Sequence, residues 1–348
     1  MTRLRWLATA CLVVLAAVAA GCGDDDAPSE VVLVTHDSFA ISKNVEAAFE
    51  RDTGLRLRIL KSGDAGELVT RALLTAGNPE GDVLFGVDNN LLARTLEGDV
   101  FEEYESPELE SVDPELQNVD PERRVTPIDR GDVCLNYDKQ WFAERGLAPP
   151  RELSDLLLAR YRDLLVVENP ATSTPGLAFL LATIAAMGDR WQAYWRRLRA
   201  NGVLVVDGWE EAYNVRFSGS AGKGDRPIVV SYASSPPAEV IFRNPRPSAA
   251  PTGVVERSCF RQIELAGVLR GANNTEGARQ LVDFMLSERF QADIPLQMFV
   301  FPVRRGTPLP PEFERFAIVP ADPLELPPEE IEANRERWVA EWTRIVVR

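Results

Sequence analysis

The 348-residue chain contains a single histidine and only four cysteines. No spacing of these residues matches a zinc site, so the sequence predicts no metal, and nothing in it calls for a cofactor. Basic residues are also scarce, because 38 lysines and arginines stand against 53 aspartates and glutamates. The net charge of −15 argues against nucleic acid as a partner, since nucleic-acid binding depends on cationic contacts with phosphates.

Long apolar runs are missing except at the amino terminus. Residues 7–20 are apolar and follow two arginines, which is typical of a secretory signal. Small residues then precede Cys22, as in a bacterial lipoprotein box, although Ala19 stands where leucine is commoner. We predict a signal peptide over 1–21, a lipid on Cys22 and an acidic tether over 22–30, so that the protein is anchored to the outer face of the cell membrane. A soluble export signal and a short membrane anchor are the alternatives.

Two cysteines remain after the signal and the lipid site are set aside. These are Cys134 and Cys259, and an even pair in an oxidising compartment favours one disulfide between them. Two buried free thiols, or a reactive Cys134, are the alternatives that the sequence leaves open.

Strand and helix patterns alternate through the first hundred residues. Apolar runs at 31–35, 55–60 and 82–87 predict strands, and helical patterns follow them, which indicates a parallel α/β sheet. Ligands of such sheets bind beyond the carboxyl ends of the strands. The candidate binding residues at these ends are His36, Asp37, Ser38, Asp64, Asp88 and Asn89.

A further candidate site follows the apolar run at 164–167. Thr172, Ser173 and Thr174 supply hydroxyls at the start of a helix that continues to Met187. The free N–H groups and the positive end of the helix dipole favour an anionic or polar ligand there. An ordinary capped helix has the same local pattern and is the alternative.

The mature chain divides into two predicted lobes. Residues 31–131 and 268–348 form the first lobe and residues 132–267 the second, with two strands crossing between them. Such a clamshell binds its ligand between the lobes and closes about a hinge. Cys134 lies in one predicted crossing strand, and Cys259 lies just before the other.

Aromatic side chains and carboxylates share the predicted turns and strand ends. This combination suits a flat organic cation, because each good contact of a cation with an aromatic face contributes about 0.5–2 kcal/mol. Any one of these aromatics taken alone is more often a core residue. The aromatic candidates are Trp209, Tyr213, Tyr232 and Phe299, and the acidic candidates are Asp37, Asp64, Asp88 and Glu211.

Six motifs in order, and a final Glu341-Trp342 helix, mark the chain from about Thr35 to Arg348. The motifs are Asp37-Ser38-Phe39-Ala40, Gly86-Val87-Asp88-Asn89-Asn90-Leu91-Leu92, Thr172-Ser173-Thr174-Pro175-Gly176-Leu177, Gly208-Trp209-x-Glu211-Ala212-Tyr213, Ser231-Tyr232-x-x-Ser235-Pro236 and Ile294-Pro295…Phe301-Pro302. In this order they resemble the thiamine-binding proteins of bacterial ABC importers, which have the type II periplasmic binding-protein fold. The resemblance implies a monomer without enzyme activity that captures thiamine or thiamine phosphates between its lobes and delivers them to an ABC permease.

The resemblance also implies roles for single residues. Trp209 and Tyr232 stand where the family lines the thiamine rings, and Ser235 completes the motif of Tyr232. Asp64 stands where the family has an acid near the site, and Ser173 stands at the phosphate or hydroxyethyl end.

Three positions depart from the family pattern. His36 and Ala238 stand where the family has tyrosines, and Phe299 stands where it has a tryptophan. Aromatic stacking is therefore predicted to be weaker or altered, and a related pyrimidine or thiazole compound is an alternative ligand.

Two other functions on the same fold stay open. Thiamine-cleaving enzymes use a cysteine nucleophile and a carboxylate base, which Cys134 with Asp129 or Glu264 could imitate. Ferric-ion and small-anion binding proteins share the clamshell, but the iron binders commonly use paired tyrosines, and only Tyr232 follows Ser231 here. A structural lipoprotein is less favoured, because polar residues stand at the strand ends.

Overall fold

A computed structural model describes residues 29–221 and 224–348. The predicted signal peptide, the lipid site Cys22 and nearly all of the predicted tether lie outside the described residues. Within the described ranges, no helix is both long enough and apolar enough to cross a membrane.

Nine strands of the described residues form one mixed sheet. The strands are β1 Glu30–Thr35, β2 Arg56–Lys61, β3 Val83–Asp88, β4 Thr126–Asp138, β5 Leu165–Glu168, β6 Leu204–Val206, β7 Ile228–Tyr232, β8 Thr252–Val268 and β9 Phe301–Pro302. Their order is β2-β1-β3-β8-β4-β7-β5-β6, and β9 pairs with β4. The first lobe is built on the parallel strands β1, β2 and β3, and the second on the parallel strands β5 and β6 with β7. The predicted α/β clamshell is therefore present.

Helices flank both parts of the sheet. The α-helices are α1 Lys43–Thr53, α2 Ala65–Leu74, α3 Leu92–Glu97, α4 Lys139–Glu144, α5 Thr174–Met187, α6 Trp191–Ala200, α7 Ala238–Ile241, α8 Thr275–Met285, α9 Glu288–Gln297, α10 Pro311–Phe316 and α11 Pro328–Val346. Short 3-10 helices span Pro107–Ser111, Leu153–Leu157, Ala159–Tyr161 and Gly188–Arg190, and a π-helix spans Glu211–Arg216. The π-helix replaces the turn predicted around Tyr213.

The two lobes are joined by β4 and β8, which pair antiparallel along both lobes. Both strands are longer than the apolar runs at 131–137 and 263–269 predicted. Charged residues interrupt the apolar pattern before residues 131 and 263, so the first parts of both strands could not be recognised in the sequence. The pairing of the two strands also contains register shifts. The expected disulfide between Cys134 and Cys259 is present and ties β4 to β8, with both cysteines fully buried.

The last helix contacts both lobes. The sequence assigns residues 268–348 to the first lobe and leaves the docking of the final helix open. In the structure α11 borders α3 of the first lobe and packs on α6 of the second. The Trp342 ring meets the Trp195 ring edge-on with centroids 5.4 Å apart, and Arg199 Nη1 donates to the Ile345 carbonyl at 2.7 Å. The sequence shows that α11 is amphipathic, but an amphipathic pattern does not say which surface its apolar face will cover.

Candidate functional site

A cleft of about 370 Å³ opens between the lobes, where β1, β2 and β7 end. Nine of the predicted binding residues line it: His36, Asp37, Ser38, Asp64, Thr174, Trp209, Tyr213, Tyr232 and Phe299. Five do not: Asp88, Asn89, Thr172, Ser173 and Ser235. The carboxylate of Glu211 also lies outside the cleft, where it pairs with Arg216 at 3.1 Å.

Asp64 lies at the junction of the two lobes. Its side chain caps α2 by accepting from the Ala65 N–H at 2.6 Å, and it accepts from the Trp209 N–H of the other lobe at 2.8 Å. Burial raises the pKa of Asp64 to about 6, against the opposing effect of these N–H donors. The carboxylate is therefore a negative group at the cleft wall at neutral pH.

An aromatic wall is formed by Trp209 and Tyr213. Their rings stack with centroids 5.0 Å apart and an interplanar angle of 12°. Trp209 Nε1 donates to Ser231 Oγ at 3.0 Å, and the Tyr213 hydroxyl donates to Glu239 Oε1 at 3.1 Å. These bonds fix both rings, and the half-buried Trp209 lines the cleft.

The start of α5 borders the cleft through Thr174. Ser173 is buried behind it as the helix cap and accepts from the Gly176 N–H at 3.5 Å, while Thr172 donates to the Asp207 carbonyl at 2.6 Å. The helix therefore presents its amino end to the cleft, and its cap residues mainly hold that end in place.

The predicted residues that do not line the cleft support those that do. Asp88 caps the turn after β3 by accepting from the N–H groups of Asn90 and Leu91. Asn89 accepts from the Ile263 N–H of β8 at 2.8 Å. Ser235 Oγ lies 2.9 Å from the Ser231 Oγ that holds Trp209.

The only histidine of the chain lies beneath the cleft as a neutral side chain. Burial, helped by Lys61, lowers the pKa of His36 to about 4. Its Nδ1 is 2.8 Å from Ser38 Oγ, whereas its Nε2 is 3.6 Å from Glu264 Oε1, which is beyond hydrogen-bond distance. The close approach of His36 and Glu264 is therefore not an ion pair at neutral pH.

The rim of the cleft carries an aromatic contact between the lobes. Phe299, in a left-handed backbone conformation with φ of 57°, meets Phe242 edge-on with ring centroids 5.4 Å apart. Phe242 is 69% exposed and follows α7 of the second lobe, and Phe299 follows α9. No sequence pattern identifies Phe242 as a cleft residue, because its role depends on the approach of the opposite lobe.

Several other charged residues of the cleft were not predicted as binding residues. Lys61, Glu239, Arg243 and Glu264 all line it. Glu264 could have been found as an acid inside the apolar run Ile263-Glu264-Leu265-Ala266, where a buried carboxyl needs an explanation.

The described residues contain no group of three or more His, Cys, Asp or Glu side chains that could hold a metal ion. The arrangement instead offers aromatic faces, buried acids and two cationic side chains at one cleft. These features define a binding site for a small organic ion between two hinged lobes, as in an extracytoplasmic solute-binding protein.

Comparison with known proteins assigns the family. The chain belongs to the bacterial extracellular solute-binding proteins, whose family model matches residues 78–322. The thiamine-binding periplasmic protein of Salmonella typhimurium is 31% identical to it over 91% of this chain and 94% of the relative.

Solved structures agree with this assignment. A periplasmic thiamin binding protein superposes with a TM-score of 0.80 at 28% identity, covering 92% of this chain and 96% of that structure. The ferric binding protein from Campylobacter jejuni superposes with a TM-score of 0.72 at 18% identity, covering 90% and 99%. At that identity the ferric protein shares the fold alone.

Proposed function

We propose that this protein captures thiamine or a thiamine phosphate in the cleft and delivers it to an ABC permease. The observation that carries the proposal is the pairing of the Trp209 ring with the carboxylates of Asp64 and Glu264 in one cleft. A flat aromatic cation uses both, since the ring attracts its face and the acids balance its charge. The thiamine-binding relatives, which align over nearly the whole chain, support the same ligand.

The cleft lining offers contacts for both the rings and the polar tail of such a ligand. Trp209, Tyr232 and Phe299 would line the rings, and Asp64 would lie near the cationic head. The amino end of α5 at Thr174 suits a hydroxyl or phosphate, as do the cationic side chains of Lys61 and Arg243. His36, Asp37, Ser38 and Tyr213 would complete the wall, with Asp88, Asn89, Thr172, Ser173 and Ser235 holding it in place.

A binding protein is favoured over a thiamine-cleaving enzyme. Cys134 is fully buried, is bonded to Cys259 and does not line the cleft, so its sulfur is not available there as a nucleophile. Titration of thiols on non-reduced protein, with thiamine turnover assayed alongside, distinguishes the two functions. A binding protein gives no reactive thiol and no turnover.

The same proposal includes export of the protein, its location and its partners. The leader and Cys22 would place a monomer on the outer face of the cell membrane, held there by lipid, with the permease as its protein partner. The lobes would be residues 31–131 with 268–327, and 132–267, and α11 would lie across them, packing on α6 of the second lobe and bordering α3 of the first. Mass spectrometry of the membrane-bound protein tests the lipid, which is absent if Cys22 is replaced by serine.

The ligand is tested by calorimetric titration of the purified protein with thiamine, thiamine monophosphate, thiamine diphosphate and a ferric salt. We expect saturable one-to-one binding of at least one thiamine compound and none of iron. Binding of iron with no response to the thiamine compounds would favour the ferric-ion alternative.

A further inference from the structure

Three carboxyl groups lie side by side on β3 and on the two strands that join the lobes. In the paired strands Glu264 of β8 stands directly opposite Asp129 of β4 on one side and Asp88 of β3 on the other. Glu264 reaches the cleft, whereas Asp129 and Asp88 are fully buried beside it. A ligand in the cleft therefore meets this row of acids through Glu264.

Asp129 has no hydrogen-bond donor within the described ranges. Neither of its carboxyl oxygens, both fully buried, has a donor partner, and its side chain contacts that of Glu264. Two adjoining carboxylates cannot both ionise away from water, because each charge opposes the other and burial opposes both. One proton between the two oxygens satisfies both groups. Burial and then the Glu264 charge accordingly raise the pKa of Asp129. Burial and then the Asp88 charge raise the pKa of Glu264 to about 8, against the lowering effect of its hydrogen bond with Asp129.

Other charged groups around the pair do not supply the missing positive charge. His36 is neutral, and the Lys61 ammonium is exposed and bonded to the Asp37 carbonyl. Arg335 of α11 acts on Asp88 on the far side of the row. The titratable groups that act on the pair are His36, Asp64, Asp88 and Tyr232. Charged groups one step further out act on these neighbours: Lys61 on His36, Glu168 on Asp64 and Arg335 on Asp88.

We propose that the Asp129–Glu264 pair holds one proton in the empty cleft and releases it to water when a cationic ligand binds against Glu264. The O–H bond of the pair breaks, and the ligand replaces the proton as the positive charge beside the two carboxylates. The inference rests on the proposed function and adds to it a pH-dependent preference for cationic over neutral ligands. A permanent cation gains affinity as the pH rises, whereas a neutral ligand of the same shape does not.

Calorimetric titration with thiamine in two buffers of different ionisation enthalpy counts the protons that binding releases. We expect close to one proton per thiamine near pH 7 and close to none above about pH 9, with affinity rising up to about tenfold per pH unit between pH 7 and 8. This window lies above the pKa values of about 6 for Asp64 and Asp88, which limits their contribution.

The substitution Asp129→Asn keeps the shape of the side chain and gives Glu264 a permanent donor. It should bind thiamine with fewer protons released and with a flatter pH profile. Any protonation of thiamine itself is common to both proteins and cancels in the comparison. Asp322→Asn, at an exposed site, is the matched control and should release as many protons as the wild type. Equal proton release by wild type and Asp129→Asn overturns the inference.

Infrared spectroscopy tests the pair without any ligand, so that a failure of the inference differs from a failure of the proposed function. The difference spectrum of wild type minus Asp129→Asn, both ligand-free, should show a protonated carboxyl band at pH 7 that is lost near pH 10. The subtraction removes the band of Glu168, another buried carboxyl with a raised pKa. If this band is present but thiamine does not bind, the pair holds its proton and the thiamine proposal fails. If thiamine binds but the band is absent, the shared proton is wrong and the thiamine proposal stands.

Discussion

The carboxylate of Asp64 accepts a hydrogen bond of 2.8 Å from the backbone N–H of Trp209 on the opposite lobe. The same side chain caps α2. One residue therefore begins a helix in the first lobe and holds the aromatic wall of the second lobe against it. Helix capping and contact between the lobes are coupled at this position.

Replacing Asp64 by alanine should weaken both the cap of α2 and the contact between the lobes. We expect the loss of about 0.5–2 kcal/mol of unfolding free energy from the cap, together with a more open average shape in small-angle scattering and weaker thiamine binding. Asp138→Ala removes the cap of α4, which lies within the second lobe, and serves as the control. It should lower stability without opening the protein. An equally compact Asp64→Ala protein would contradict the bridging role.

Phe242 and Phe299 form another contact between the lobes, at the rim. Phe242→Ala should speed ligand dissociation about twofold to tenfold, because an aromatic pair contributes about 0.5–1.5 kcal/mol beyond its buried area. Stopped-flow release of bound thiamine measures this rate. Leu74→Ala, at a residue that is 83% exposed, controls for loss of surface apolar area and should leave the rate unchanged. Slower or unaltered release from Phe242→Ala would show that the rim contact does not retain ligand.

Cleft residues could be predicted from the sequence where they stand at the end of a strand or the start of a helix. Asp64 and Thr174 stand between an apolar run and a helix, and that local order shows which end of a strand they occupy. Strand ends and helix starts could thus be placed before any contact between the lobes was known. Contacts that depend on lobe closure, such as Phe242 with Phe299, could not.

Stability should fall as the pH rises through neutrality. Glu264 titrates near 4.5 when unfolded and near 8 when folded, so the folded protein binds more protons between these values. The contribution of this group to the free energy of unfolding should therefore fall between pH 4.5 and 8, by at most about 1.4 kcal/mol per pH unit. The raised pKa values of the buried Asp129 and Glu168 add to the fall in the same direction. The raised pKa values of Asp64 and Asp88 act in the same direction at lower pH.

Urea unfolding at several pH values measures this slope. Asp129→Asn should reduce it between pH 6 and 8, because the amide removes the shared proton, while Asp322→Asn should not. A free energy of unfolding that rises with pH in this range would mean that the buried acids are ionised in the folded protein.

The disulfide is a stability element and lies away from the cleft. Replacing Cys134 and Cys259 together by alanine opens a link between residues 125 apart and should lower the free energy of unfolding by about 2–4 kcal/mol. Thiamine affinity, measured well below the unfolding temperature, should change little, because neither cysteine lines the cleft. Loss of binding in a folded double variant would implicate the cysteines in the ligand site.

The pairing of the buried acids Asp129 and Glu264 could not be predicted from the sequence. The sequence suggests Asp129 and Glu264 only as bases for a reactive Cys134. Their pairing depends on the register of β4 against β8, which includes shifts that no local pattern reveals. A carboxyl inside an apolar run was the available signal, but it does not identify its partner.

The most direct test is calorimetric titration of Trp209→Ala with thiamine beside the wild type. The wild type should bind one thiamine per chain, and the variant should bind it about 5–150-fold more weakly, as expected for about 1–3 kcal/mol of lost stacking and cation–π contact. Trp141→Ala, at a half-buried tryptophan outside the cleft, should bind like the wild type. Unchanged affinity in Trp209→Ala, or no binding by the wild type at millimolar thiamine, would contradict the account.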